Sequence, residues 1–253
     1  MEDASDWCGV LREARIRLQM DMFSEAQLAD ASRFCATLAT AAQRTNLIGQ
    51  QAPEGLVELA FADAWLLEAQ GWVTAADVVI DVGSGAGLPA LPLQLATGCT
   101  VHLVEPRKLR ADFLCGVRDT LGIGERAHIW AMKECHLPMD LLAGASLTTA
   151  RAVFPPEIWL KKAPRLAKRI VVFTTPNQKL DASGTMLTCH ETIEYALPFS
   201  GARRQLTLLH VSPTGTQHLP RQQERSIRSM HAAEANGRGG TRASGKSKRT
   251  EGG

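Results

Sequence analysis

The chain has 253 residues, 45% of them hydrophobic and 21% charged, a balance that excludes wholesale disorder and lets the protein bury a core without metal or disulfide support. Its net charge of +2 conceals an asymmetry: residues 221–253 hold eight Lys/Arg against three acids, so the rest of the chain is net acidic, and overall basicity is no argument for nucleic-acid binding by the body. Six cysteines form no C-x-x-C pair and exclude a zinc pattern. They read as buried thiols of a reducing compartment. An acidic start unlike a secretory leader, and no apolar run of ~18 residues, make the expectation a soluble cytoplasmic protein with no membrane and no metal.

Residues 5–20 predict a helix with Trp7, Leu11, Ile16 and Met20 along one stripe. Ser24-Glu25-Ala26-Gln27 is a capping box, opening a second helix on Leu28, Ala31, Cys35, Leu38 and Ala42. Asn46 to Gly49 breaks it, and Pro53 starts a third helix that runs to Gly71. Residues 1–73 thus form an N-terminal helical subdomain. From Asp77 the pattern changes to strand and helix in alternation. Val78–Val82 is a β-branched run suited to a buried parallel strand, followed by the loop Gly83-Ser84-Gly85-Ala86-Gly87 and a helix over Leu88–Ala96 with Pro89 in its first turn. Thr100–Val104, Ala127–Met132, Ser146–Ala150 and Ile170–Thr174 read as strands. Lys108–Leu121 reads as a helix, and Pro155-Pro156 opens another. Ile193–Leu197 and Gln205–Val211 read as a terminal hairpin. Residues 74–211 are therefore an α/β unit with a mostly parallel sheet. Residues 212–253, rich in Gly, Ser and Arg, read as a disordered basic tail with at most a turn of helix around Arg221–Met230.

The glycine loop is the most informative stretch. Glycines at 83, 85 and 87 let the chain turn sharply off a strand and approach a ligand closely, at the carboxyl edge where such sheets bind. A dinucleotide loop places its third glycine where Leu88 stands. Here the spacing is G-x-G-x-G, and Asp81 lies two residues before the first glycine. That acid suits an amine-bearing zwitterion such as S-adenosylmethionine better than a pyrophosphate. Glu105, ending the second strand, suits the ribose hydroxyls of either nucleoside cofactor. A dinucleotide and a ligand-free turn stay as alternatives.

Arg151 ends a strand on the ligand side and is a candidate for positioning. Glu134 is either a ligand contact or a surface partner of Lys133 or Arg107. Lys161, Lys162, Arg165, Lys168 and Arg169 are five cations in nine residues; with Arg107, Lys108 and Arg110 they are candidates for phosphate contact. Trp130 is a candidate to pack on the cofactor. The seven histidines form no catalytic arrangement.

On these residues the chain resembles the bacterial ribosomal small-subunit methyltransferase G family, also called glucose-inhibited division protein B. Asp-Val-Gly-Ser-Gly-Ala-Gly-Leu-Pro-Ala-Leu-Pro-Leu over 81–93 resembles its long signature. Glu105 followed by Lys108, Arg110, Phe113 and Leu114 is similar to its acid, basic, Phe-Leu segment. Thr149-Ala150-Arg151-Ala152 is similar to its Ser-Arg-Ala step, and Asn46-Leu47 to the Asn-Leu ending its N-terminal helices. The likeness covers about residues 25–211. It implies a Rossmann-like Class I S-adenosylmethionine-dependent methyltransferase sheet with an N-terminal helical subdomain, and methyl transfer to N7 of a guanine in small-subunit ribosomal RNA. It places the cofactor against Gly83, Leu88, Lys133-Glu134 and Arg151, adding to Asp81, Gly85, Gly87 and Glu105 from the loop reading. The expected RNA side is Asn46, Arg107, Lys108, Arg110, Lys161, Lys162 and Arg165. No catalytic residue is required, and the expected state is a monomer. The chain departs from the family where Leu59-Ala60 replace Arg-His, Ser146 replaces an Asp, Leu166-Ala167-Lys168 replace a Gly-Gly turn and Thr174-Thr175 replace a strand-ending lysine. These departures keep two alternatives: a methyltransferase acting on a small molecule or another RNA, and a non-catalytic binding member.

Overall fold

The computed structural model describes residues 4–44, 48–49 and 52–212. The expectations for Asn46, for residues 213–253 and for the helical turn at Arg221–Met230 lie outside the described residues. Three helices open the chain: α1 (Ala4–Arg17), α2 (Glu25–Arg44) and α3 (Pro53–Ala69). The capping box forms as read, the Ser24 hydroxyl accepting from the Gln27 amide at 3.2 Å and the Gln27 side-chain oxygen accepting from the Ser24 amide at 3.1 Å.

Strands β1 (Val78–Val82), β2 (Thr100–Val104), β3 (Ala127–Trp130), β4 (Leu147–Thr149) and β5 (Arg169–Thr174) follow, joined by α4 (Ala90–Thr97), α5 (Lys108–Leu121), α6 (Met139–Gly144) and α7 (Pro156–Lys162). β6 (Leu187–Ala196) and β7 (Arg203–Val211) close the fold. The sheet order is β3-β2-β1-β4-β5-β7-β6, parallel through β5, with β7 antiparallel to both its neighbours.

Alternation along the strands divides the apolar side chains between two faces. Val79, Val101, Leu103, Val171, Ile193 and Leu208 share one core with α1 to α5. Ile80, Val82, Val104, Ile170 and Val172 pack with Trp159 and Leu160 of α7 on the other. The helix α3 is buried from Leu56 to Leu67 except at Leu59, which is half-buried. It even takes polar groups inside: the Glu58 carboxylate accepts from the amides of Phe199 and Ser200, both at 2.8 Å, and so ties α3 to the β6–β7 turn.

Some details differ from the sequence reading. Helix α4 begins at Ala90 because Pro89 occupies its N-cap with non-helical backbone (ψ 1°). β6 begins at Leu187, six residues before the expected Ile193, because a bulge between Cys189 and Glu191 breaks the alternation that made its second half legible. Of the cysteines, Cys35 and Cys99 are buried but Cys135 is exposed. Among the described residues no helix is long and apolar enough to cross a membrane.

Because α1–α3 share a continuous core with the sheet, urea unfolding followed by far-UV dichroism and tryptophan fluorescence is expected to show one coincident transition. Trp65→Ala, which empties a site 1% exposed between Phe23 and Phe61, is expected to cost about 3–5 kcal/mol of that single transition. A separate early transition for the helices would contradict the shared core.

Candidate active site

A cleft of about 740 Å³ opens at the carboxyl ends of β1, β2 and β4, within the usual size of a cofactor site. Its floor is the glycine loop. Gly83, Gly85 and Gly87 have φ of +69°, +55° and +86°, a region that side chains with a Cβ rarely enter. A Cβ on Gly83 would also stand 2.4 Å from Val153 Cγ2, so the turn after β4 sits directly on the loop. Gly87 faces the core: a Cβ there would meet Leu91 at 2.3 Å and Leu114 at 3.2 Å. Gly87, expected among the ligand contacts, is buried, lies outside the cleft lining and has a packing role in the loop. Gly85 faces the cleft, where a Cβ would find Arg110 Nη1 as its nearest neighbour at 3.7 Å.

The amides of the loop, that of Ala86 apart, are committed within the chain. Gly83 and Ser84 donate to the Val104 carbonyl at 2.7 and 3.3 Å, and Gly87 and Leu88 to the Ser84 carbonyl at 2.7 and 3.3 Å. Gly85 donates to Glu105 Oε2 at 3.0 Å. A phosphate cradle needs such amides free, so this loop does not suit a pyrophosphate. Glu105 is 3% exposed, and its other oxygen accepts from the Arg107 amide at 2.9 Å. Each oxygen keeps one lone pair direction for a further donor.

Asp81 lies beneath the loop rather than on the cleft wall. It is 1% exposed, accepts from the Thr149 hydroxyl at 2.7 Å, and has no hydrogen-bond partner for Oδ2 among the described residues. Burial pushes its carboxyl up to about 7, against the pull of the Thr149 hydroxyl and of the Arg151 charge. An uncompensated buried carboxyl next to a cleft is suited to a cationic ligand.

Gly83, Gly85, Leu88, Glu105, Lys133, Glu134 and Arg151 line the cleft, as do Arg107, Arg110 and Lys162. The partner of Glu134 is neither Lys133 nor Arg107. Lys162 Nζ reaches it at 2.6 Å and Arg165 at 3.7 Å. Burial would raise the Glu134 carboxyl, but the Lys162 hydrogen bond and the neighbouring charges hold it below the usual range. The rest of the expected basic edge disperses. Lys108 is exposed and pairs with Asp112 at 2.7 Å, Lys161, Arg165 and Lys168 are exposed outside the cleft lining, and Arg169 is a structural ion pair of Asp77. Trp130 donates to His102 Nδ1 at 3.0 Å, packs against the second core and is not among the residues lining the cleft. Leu59, noted as a departure from the family pattern, also lines the cleft. Apolar lining from Ile48, Val153 and Phe154 escaped the sequence reading, as did the pairing of Asp63 of α3 with Arg151 at 2.7 Å. No local motif marks these positions. Among the described residues no group of three or more His, Cys, Asp and Glu is placed to hold a metal.

The strand order, the reversed β7, a glycine loop after β1 and an acid ending β2 together define a Rossmann-like Class I methyltransferase sheet. The profile of the rRNA small subunit methyltransferase G family matches residues 27–204, and the chain belongs to that family. It is 30% identical over 174 residues to the ribosomal RNA small subunit methyltransferase G of Myxococcus xanthus, covering 65% of this chain and 79% of that one. It is 33% identical over 157 residues to that of Streptomyces coelicolor, covering 61% of each. Among solved structures, P. horikoshii TYW2 in complex with MeSAdo aligns with a TM-score of 0.48 at 16% identity, covering 62% of this chain and 66% of that one. The family's methyl donor is S-adenosylmethionine, and the inward-turned amides, the orphaned Asp81 oxygen and the buried Glu105 fit it.

Asp81 sets a pH dependence for the ligand-free protein. Its carboxyl stays protonated to about pH 7 when folded, whereas an unfolded aspartate ionises from its ordinary 3.8. Between those values the folded state binds the extra proton, so stability falls as pH rises, by at most ~1.4 kcal/mol per pH unit. Urea midpoints measured across pH 4–8 are expected to show this fall in the wild type and a smaller one in Asp81→Asn. Parallel pH profiles would show that Asp81 is ionised throughout.

Proposed function

We propose that this protein transfers the methyl group of S-adenosylmethionine to N7 of a guanine in small-subunit ribosomal RNA. The observation that carries the reading is the loop whose amides close on Val104, Ser84 and Glu105, in a chain that the family profile matches over most of its folded length.

When bound, the cofactor supplies a sulfonium-activated methyl group. Gly83, Gly85, Leu88, Glu105, Lys133, Glu134 and Arg151 are its proposed contacts, Asp81 acts on it through its charge from beneath the loop, and Gly87 supports the loop by letting it turn. Glu105, fixed by two backbone amides, offers its remaining lone pairs to ribose hydroxyls. Asp81, ionised beside a cationic ligand, balances its charge. Guanine N7 carries a lone pair and no proton at neutral pH, so the chain needs no general base. Its contribution is orientation of both partners and exclusion of water. Arg107, Arg110, Lys133 and Lys162 on the cleft wall, with Lys108, Lys161 and Arg165 outside it, offer charge to RNA phosphates. Six cysteines held as thiols rather than disulfides fit a cytoplasmic setting.

One observation favours a second reading, transfer to a small molecule or to another RNA. Leu59 stands where the family carries an arginine, and it lines the cleft. Incubation of the full chain with labelled S-adenosylmethionine and small ribosomal subunits lacking the modification, followed by nucleoside digestion, separates the cases. Label in 7-methylguanosine supports the proposal. Label in another nucleoside or a small molecule supports the second reading, and binding without transfer identifies a non-catalytic member.

Glu105→Ala is expected to weaken cofactor binding, measured by calorimetry, by about 1.5–3 kcal/mol. With both substrates saturating, single-turnover transfer is expected to be nearly flat from about pH 7 to 9, because no acid or base titrates in the step. A tenfold rise per pH unit would indicate an acceptor that must lose a proton and would move the target away from N7.

A further inference from the structure

Three elements far apart in the chain converge on the cleft side of α3. Arg151, two residues past β4, donates through Nη1 to the Leu59 carbonyl at 2.8 Å and to Asp63 Oδ2 at 2.7 Å. The other oxygen of Asp63 accepts the hydroxyl of Tyr195 from β6. Asp63 and Tyr195 are both buried, while the Arg151 side chain is 17% exposed and lines the cleft. The following residue, Ala152, is held at φ +57°, a left-handed conformation that costs a residue with a Cβ about 1 kcal/mol or more. The surrounding contacts therefore enforce the turn. A long cationic side chain left to itself samples many rotamers. Here one carboxylate, itself fixed by a phenol, removes that freedom. Among the described residues nothing accepts from Arg151 Nε or Nη2, which leaves part of its planar fork for a carboxylate or phosphate oxygen.

We infer that Asp63 and Tyr195 are positioning residues for the cofactor cleft, acting through Arg151, and that α3 thereby forms part of the binding machinery as well as of the core. The inference rests on the proposed methyltransferase reading. Replacing Asp63 leaves a cation beside a buried site with its anchor lost. Replacing Tyr195 by Phe keeps the ring and removes only the hydroxyl that orients Asp63.

The test uses the fact that Tyr195 is the chain's only tyrosine: selective ¹³C labelling of tyrosine gives one ring environment by NMR. In the wild-type full chain, S-adenosylmethionine is expected to shift that ring signal. Asp63→Asn is expected to raise the KM for S-adenosylmethionine about ten- to hundredfold with kcat little changed, and Tyr195→Phe by a smaller factor. Asp63→Asn added to Arg151→Ala is expected to have no further effect on KM, since the carboxylate acts through the arginine. A cofactor that binds by calorimetry without moving the tyrosine signal overturns the inference alone. So do variants that lower the melting temperature but keep the wild-type KM. Absence of cofactor binding to the wild type overturns the methyltransferase reading and the inference with it.

Discussion

The Glu105 carboxylate closing on the Gly85 and Arg107 amides is the constraint on which the site depends. A carboxylate 3% exposed is costly to bury unless hydrogen-bonded, and here each oxygen meets a backbone donor, one from the glycine loop and one from the residue before α5. The glycine loop is thereby bound to the end of β2, in addition to the two amides it gives Val104. With its amides turned inward, the loop presents shape and a buried carboxylate to a ligand rather than a ring of donors. That distinction separates a sulfonium nucleoside from a dinucleotide more firmly than glycine spacing does, since spacing alone leaves both open.

The helical N-terminal segment belongs to this arrangement. Its apolar residues enter the same core as the sheet, but its polar residues do more than tolerate burial. Glu58 holds the β6–β7 turn and Asp63 holds Arg151. Both sit on a helix so apolar that a carboxylate placed on it would be destabilising without such partners. Val153, two residues beyond Arg151, then rests on Gly83. A continuous chain of contacts therefore runs from α3 through the β4 turn to the first glycine of the loop.

What the sequence made legible follows from the range of the interactions concerned. The strands β1 and β2, the helix α5 and the capping box of α2 are specified by neighbours within a turn or a strand, and they form where the pattern places them. The loop and Glu105 were legible because their spacing carries chemistry. Asp63, Arg151 and Tyr195 are separated by 88 and 132 residues along the chain, and no periodicity links them. The direction of Gly87 depends on Leu91 and Leu114, and the partner of Glu134 on where α7 docks. The cationic run from Lys161 to Arg169 illustrates the same limit. Helix geometry and the start of β5 scatter its members to the cleft, the surface and a structural ion pair.

The departures from the family pattern divide by what surrounds them. Ser146 stands where an aspartate is usual, yet a carboxylate is still supplied from the neighbouring strand entry. Asp77 accepts from the Ser146 hydroxyl at 2.8 Å and pairs with Arg169, whose guanidinium also donates to the Trp72 carbonyl at 2.8 Å. Burial alone would raise the Asp77 carboxyl, but its hydrogen bonds and the Arg169 charge hold it low, as expected of a satisfied ion pair. That substitution is absorbed by the fold. Ala60 is fully buried in the α3 core and leaves no polar gap. Leu59 differs from both, because its backbone carbonyl serves Arg151 while its side chain forms part of the cleft wall with Ile48 and Val153. An arginine there would add a cation beside Arg151; leucine instead gives the wall an apolar surface that favours the face of a planar base over a phosphate. Of the departures at Leu59, Ala60 and Ser146, only that at Leu59 reaches the cleft lining.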